Sequence, residues 1–182
     1  MNALAETAGR AAPTSAAAVA NEFLKLAEQE SGLPAVDQMK LQKLLFYAHA
    51  WHLAYRNGPL FDEDFEAWPW GPVIRGVYTQ TLDYGSGQIT GRISEFGPTD
   101  KGFCFTEPDG VPPELKDYIK SVWDAHKRLS GIQLSNSTHA PGEPWTIVKD
   151  RLGTGTKPRI SNELITAVFK EKLKRVAPNP AA

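Results

Sequence analysis

The sequence predicts a mostly α fold with a minor β element (α+β), organised as a compact single-domain helical bundle with a short hairpin. Three observations predict it. Apolar residues recur at three- and four-residue spacing in several segments, each bounded by cap residues, glycine or proline. Two short stretches rich in β-branched and aromatic residues stand between the helical ones. The chain of 182 residues, 41% hydrophobic, is long enough for one core without metal or disulfide support.

The first helix starts after Thr14 or Ser15, carries Val19, Phe23, Leu24, Leu26 and Ala27, and is closed by Gly32. Asp37 caps a second helix, in which Leu41, Leu44, Leu45, Ala48, Trp51, His52 and Tyr55 form a wide apolar face and Gly58 lies beyond the end. This is the strongest periodic signal in the chain and marks the central helix of the core. Phe61 to Trp70 reads as a strand or extended segment that stops at Gly71-Pro72. Pro72 suits the first position of a third helix through Val73, Val77 and Leu82, ended by Gly85 and Gly87.

Ile89–Ile93 and Gly102–Thr106 form the expected hairpin, separated by Gly97-Pro98 and Asp100. Pro112-Pro113 opens a helix through Leu115, Tyr118, Ile119, Val122, Trp123 and His126, closed by Gly131. A short helix spans Ile132 to Ser137, and Pro144 starts another that ends near Gly153. The run 153–158 is a loop, and Ser161 caps a last helix through Leu164, Ile165, Val168, Phe169 and Leu173. Residues 1–13 read as a flexible arm and residues 177–182 as a disordered tail, leaving 14–176 as the domain.

Composition narrows function. Twenty Lys+Arg against twenty-one Asp+Glu give a net charge of −1, so no overall field draws the chain to nucleic acid as its main partner. The cationic run Lys170, Lys172, Lys174 and Arg175 suits a helix C-terminus instead. No apolar stretch reaches membrane-spanning length. The single cysteine, Cys104, excludes an intramolecular disulfide and suits a reducing cytoplasm. It alternates with Phe103 and Phe105, as a small strand residue does.

No catalytic constellation stands out, and no cofactor is expected. His49 and His52, one helical turn apart, could join His139 or Glu66 in a metal-dependent hydrolase. The competing reading makes His52 a hydrogen-bonded core residue and puts His49 on the border of the apolar face. The run 153–157 lacks the spacing of a phosphate-binding loop, and no serine sits in a nucleophile elbow. What does stand out is tryptophan beside proline and glycine, in Trp68-Pro69-Trp70-Gly71-Pro72 and again in Pro141-Gly142-Glu143-Pro144-Trp145. Rings on a stiff backbone cost little entropy to present, which suits a protein-binding surface. Trp70 and Trp145 are expected inside and Trp68 at the surface.

The segments Lys40-Leu41-Gln42-Lys43-Leu44-Leu45-Phe46-Tyr47-Ala48, Gly58-Pro59-Leu60-Phe61 and Glu66-Ala67-Trp68-Pro69-Trp70-Gly71-Pro72-Val73, with Val77-Tyr78, resemble the Panacea domain of GepA-like phage-associated proteins and SocA-like antitoxins. Leu134-Ser135, Thr138-His139 and Pro144-Trp145 match that family's second motif block. The resemblance covers roughly residues 15–173. It implies a non-enzymatic cytoplasmic antitoxin of a toxin–antitoxin pair that neutralises its cognate toxin by direct contact, the SocA-like branch being associated with presenting the toxin to the ClpXP protease. A DNA-binding autoregulator is the remaining alternative. The partner-binding candidates are Trp68, Trp70, Arg75, His139 and Trp145.

Overall fold

A computed structural model describes residues 12–153 and 155–176. The expected arm, apart from residues 12 and 13, and the expected tail lie outside the described residues. Seven helices occur among the described residues: α1 (Ala16–Glu28), α2 (Gln38–Arg56), α3 (Arg75–Gln80), α4 (Pro113–His126), α5 (Gly131–Thr138), α6 (Pro144–Leu152) and α7 (Asn162–Val176). Two small antiparallel sheets accompany them. In one, β1 (Phe65–Trp68) lies between β2 (Gly71–Val73) and β5 (Arg159–Ile160); the other pairs β3 (Glu95–Thr99) with β4 (Gly102–Thr106).

Helix α2 is the axis of the molecule. Asp37 caps it by accepting the Lys40 N–H at 2.7 Å, and Asn57 ends it in the left-handed region at φ 55°. Every residue from Lys40 to Ala50 is buried, because α1, α4, α5, α7 and β2 pack around it. At its centre the Phe46 ring meets Phe65 and Phe169 edge to face, with centroids 5.3 and 6.0 Å away. Such pairs add about 0.5–1.5 kcal/mol each beyond their area burial.

Most predicted starts hold. Ser15 caps α1, Ser161 caps α7, and Pro113 and Pro144 open α4 and α6. Four local expectations are corrected. Helix α1 stops at Glu28, four residues before Gly32, whose φ of +75° belongs to the following bend. Gly131 does not close α4; it is the first residue of α5, where Ser130 and Gln133 form a reciprocal capping box. A Cβ there would lie 2.7 Å from Asp37 Oδ1 and 2.8 Å from the Lys40 nitrogen, so close approach of α5 to α2 requires glycine.

Pro72 does not start a helix. It sits in β2, an edge strand, opposite Ala67. The Ala67 N–H points the other way, to the Pro158 carbonyl at 2.7 Å, so the missing proline donor costs nothing. Helix α3 begins three residues later, at Arg75. The second hairpin pairs Glu95–Thr99, not Ile89–Ile93, with Gly102–Thr106, and Gly97-Pro98 lie inside its first strand. Ile89 and Ile93 are buried instead. The Ile89 N–H donates to the Val36 carbonyl, and the Asn21 amide clamps both backbone groups of Ile93, which holds this irregular segment on the helices.

Candidate partner-binding surface around the tryptophan hairpin

The β1–β2 hairpin turns through Pro69 and Trp70, and Gly71 completes the turn at φ +103°. Only glycine fits there. A Cβ would stand 2.6 Å from Lys43 Cε and 2.7 Å from Thr138 Oγ1. Backbone groups in such a turn have few ladder partners, so distant side chains supply them. The Trp145 indole N–H donates to the Trp68 carbonyl at 2.7 Å, and His139 Nε2 lies 3.2 Å from the Pro69 carbonyl oxygen. The Ser135 hydroxyl donates to the Trp70 carbonyl at 2.9 Å, and the Lys43 ammonium to the Pro72 carbonyl at 3.0 Å. Gln42 holds both backbone groups of Ile74, accepting its N–H at 2.8 Å and donating to its carbonyl at 3.2 Å.

Four carbonyls between Trp68 and Ile74 thus accept from side chains of α2, α5 and α6, and His139 of the α5–α6 connection faces a fifth, that of Pro69. Each bond contributes about 1 kcal/mol, and together they hold one conformation of a short turn. The donors are supported in turn. His139 Nδ1 lies 2.6 Å from the Ser135 carbonyl, and its ring packs on Trp145 with centroids 3.8 Å apart. Gln38 reaches α3, donating to the Tyr78 carbonyl and to Thr81 Oγ1.

The five sequence-predicted residues do meet at this hairpin, but in divided roles. Trp70 was expected inside; it is 69% exposed, because it occupies the turn tip rather than an alternating strand position. Trp145 is half-buried and, with His139, serves the hairpin backbone. Trp68 is half-buried in a polar cluster: its indole N–H donates to Glu66 at 2.8 Å, Lys157 Nζ stands 3.5 Å from its ring centroid, and Arg75 lies above it at 5.4 Å. Arg75 also grips Glu66 with two bonds, 3.0 and 2.7 Å. Burial works against the Glu66 carboxylate, but the hydrogen bonds from Arg75 and Trp68 outweigh it and hold its pKa below the ordinary value. A cavity of about 150 Å³, bounded by Met39, Lys43, Trp68, Trp70 and Tyr78, opens beside the exposed indole.

Sequence reasoning named Gln42 and Lys43 only within the family motif and gave them no role at the site. Both are buried, and so is Lys40, whose ammonium donates to the Pro34 and Lys127 carbonyls. Burial drives the Lys43 pKa down to about 7, against a weaker opposing pull from Asp37. The available signal was a polar residue at each of these positions on a helix whose neighbours are apolar all round.

The metal-ligand set does not assemble. His49 is fully buried, not on a border, with Nε2 2.9 Å from Asn162 Oδ1; burial lowers its pKa to about 4, so the ring is neutral. His52 Nδ1 faces the Gly58 carbonyl at 2.8 Å, while His139 and Glu66 are engaged at the hairpin as described. Among the described residues no group of three or more His, Cys, Asp or Glu could hold a metal ion, and no helix is long and apolar enough to cross a membrane.

Comparison with known proteins bears on this arrangement. The family described as Antitoxin SocA-like, Panacea domain, matches residues 41–146. Antitoxin SocA of Caulobacter vibrioides (strain NA1000 / CB15N) is 30% identical over 139 residues, spanning 76% of this chain and 72% of that protein. No solved structure matches the chain. The matched span contains every side chain that engages a carbonyl of residues 68–74: Gln42, Lys43, Ser135, His139 and Trp145.

Proposed function

This chain belongs to the Antitoxin SocA-like, Panacea-domain family, and we propose on that premise that it is the antitoxin of a toxin–antitoxin pair, acting in the cytoplasm by binding a cognate toxin protein. The observation that carries the reading is the construction of the hairpin. A tryptophan 69% exposed is held on a backbone whose carbonyls are locked from three helices. A large aromatic ring presented without mobility loses little entropy on docking, which is how binding hot spots concentrate energy. Trp70 is the anchor. Arg75 and Trp68 form the polar rim beside it, while His139 and Trp145 position the turn without needing to touch the partner.

Neutralisation requires no bond-breaking. An occupied toxin surface is a silent one, and the same contact serves delivery to ClpXP if a second region of this chain engages the unfoldase, since tethering raises the local concentration of cargo.

The test is co-expression with the small open reading frame adjacent to this gene. We expect that product to arrest growth alone, to be tolerated with this chain, and to co-purify with it. Failure of both rescue and co-purification overturns the reading. Trp70→Ala is expected to weaken the complex by about thirtyfold, as an anchor worth roughly 2 kcal/mol requires, with an unchanged melting temperature. Toxin half-life with purified ClpXP, measured with and without this protein, separates delivery from masking.

A further inference from the structure

The β3–β4 hairpin has one face made of aromatic and imino side chains. Strand register pairs Phe96 with Phe105 and Pro98 with Phe103, and alternation puts these four residues on the same side. The Phe96 ring packs on both of the others, with centroids 5.9 Å from Phe103 and 5.1 Å from Phe105, yet Phe96, Phe103 and Phe105 are 62%, 71% and 66% exposed. A two-stranded hairpin is marginal alone, and three adjacent phenylalanines facing water are costly unless they serve contact.

Beneath this face runs a groove of about 560 Å³, which Phe96 and Phe105 share with Ala17 of α1 and Ile74 to Val77 at the start of α3. Its base is anchored: Gln80 accepts the Ser94 N–H at 2.7 Å and donates to the Ser94 carbonyl at 2.9 Å. Four charged residues line it. Arg75 is engaged by Glu66, and Asp64 by Arg159 at 2.7 Å. The other two, Glu63 and Glu95, have no cationic partner among the described residues. Glu63 is half-buried and accepts the Ala16 N–H at 3.0 Å. Its carboxyl pKa is raised by burial and by the neighbouring charges of Glu95 and Asp62. The groove therefore combines apolar walls with uncompensated negative charge.

We propose that this hairpin face and groove form a second docking surface, distinct from Trp70, for an extended polypeptide segment that carries apolar side chains flanked by lysine or arginine. The apolar side chains cover the phenylalanines, and the cation sits between Glu63 and Glu95, relieving their mutual repulsion. The groove adjoins the tryptophan hairpin at Ile74 and Arg75 but does not include Trp70, so the inference stands whether or not the antitoxin reading does. With both surfaces occupied, the chain would hold two polypeptides at once.

The test uses the full chain and dye-labelled twelve-residue peptides that alternate Val, Leu and Phe with Ser and carry Lys, Glu or Ser at both flanks. By fluorescence anisotropy, the Lys-flanked peptides are expected to bind at least about tenfold more tightly than the Glu-flanked ones. Phe105→Ser and Phe96→Ser, on exposed positions, should each weaken binding by about tenfold without lowering the melting temperature. The double variant Glu63→Gln/Glu95→Gln should erase the preference for lysine while keeping the acceptor for Ala16. Trp70→Ala should leave peptide binding unchanged. No binding, equal binding of Lys- and Glu-flanked peptides, or indifference to the phenylalanine substitutions would overturn the proposal. So would sedimentation showing that Phe105 instead holds two copies of this chain together.

Discussion

Replacing Lys43 by methionine isolates the electrostatic cost of the buried ammonium beneath the tryptophan hairpin. Methionine keeps the unbranched length of the side chain and removes the titrating group. In the folded protein Lys43 has a pKa of about 7, against 10.5 for an ordinary lysine. The unfolded chain therefore binds the extra proton more tightly, and stability falls as pH drops from 10.5 towards 7. Above the unfolded value the penalty is absent; below the folded value it is complete. The full gap corresponds to roughly 5 kcal/mol, of which roughly 2 kcal/mol develops between pH 9 and pH 7. Urea denaturation of both proteins at several pH values from 7 to 9.5 measures the effect. Tyr47, Tyr118 and His49 titrate alike in both and cancel in the difference. Wild type should gain roughly 2 kcal/mol on Lys43→Met between pH 7 and pH 9, starting from a lower relative stability. A difference independent of pH would refute the lowered pKa of Lys43 and, with it, the dry packing of the hairpin on α2.

Gly71→Ala places a Cβ at φ +103° against Lys43 and Thr138, and should cost about 3 kcal/mol in chemical denaturation. Gly131→Ala, whose Cβ meets Asp37 and the Lys40 nitrogen, should cost about 2 kcal/mol by separating α5 from α2. His49 has a folded pKa of about 4, so its contribution is present above the ordinary histidine value and is lost as pH falls towards 4. Between pH 7 and pH 4.5 wild type should lose about 2 kcal/mol more than His49→Gln in the same assay. Ser135→Ala, which frees the Trp70 carbonyl, should lower stability by about 1 kcal/mol and, under the proposed function, weaken partner binding through the loosened turn.

Helices were the most legible part of the fold, because their signals are local. Asp37, Ser15 and Ser161 satisfy N–H groups three residues away, and Pro113 and Pro144 need only their own φ and a missing donor. Glycine was the weaker guide. Gly32 and Gly131 read as stops by local chemistry, yet one lies in a later bend and the other inside a helix start chosen by packing. The β elements were legible as composition only: Pro72 is equally at home opening a helix or on an edge strand, and only the presence of β1 and β5 decides.

The candidate surface shows the same division. The unusual tryptophan–proline segment, and the company of Arg75, His139 and Trp145, could be picked out from residue types. Their roles could not. Whether Trp70 faces water depends on a turn at Gly71, and that turn depends on donors 29 to 77 positions away in the chain, from Lys43 to Trp145. Cap preferences and apolar spacing act within about one turn of helix and are written into neighbouring residues. The satisfaction of a buried carbonyl, the lowered pKa of a lysine and the exposure of an indole are set by whatever the folded chain brings alongside.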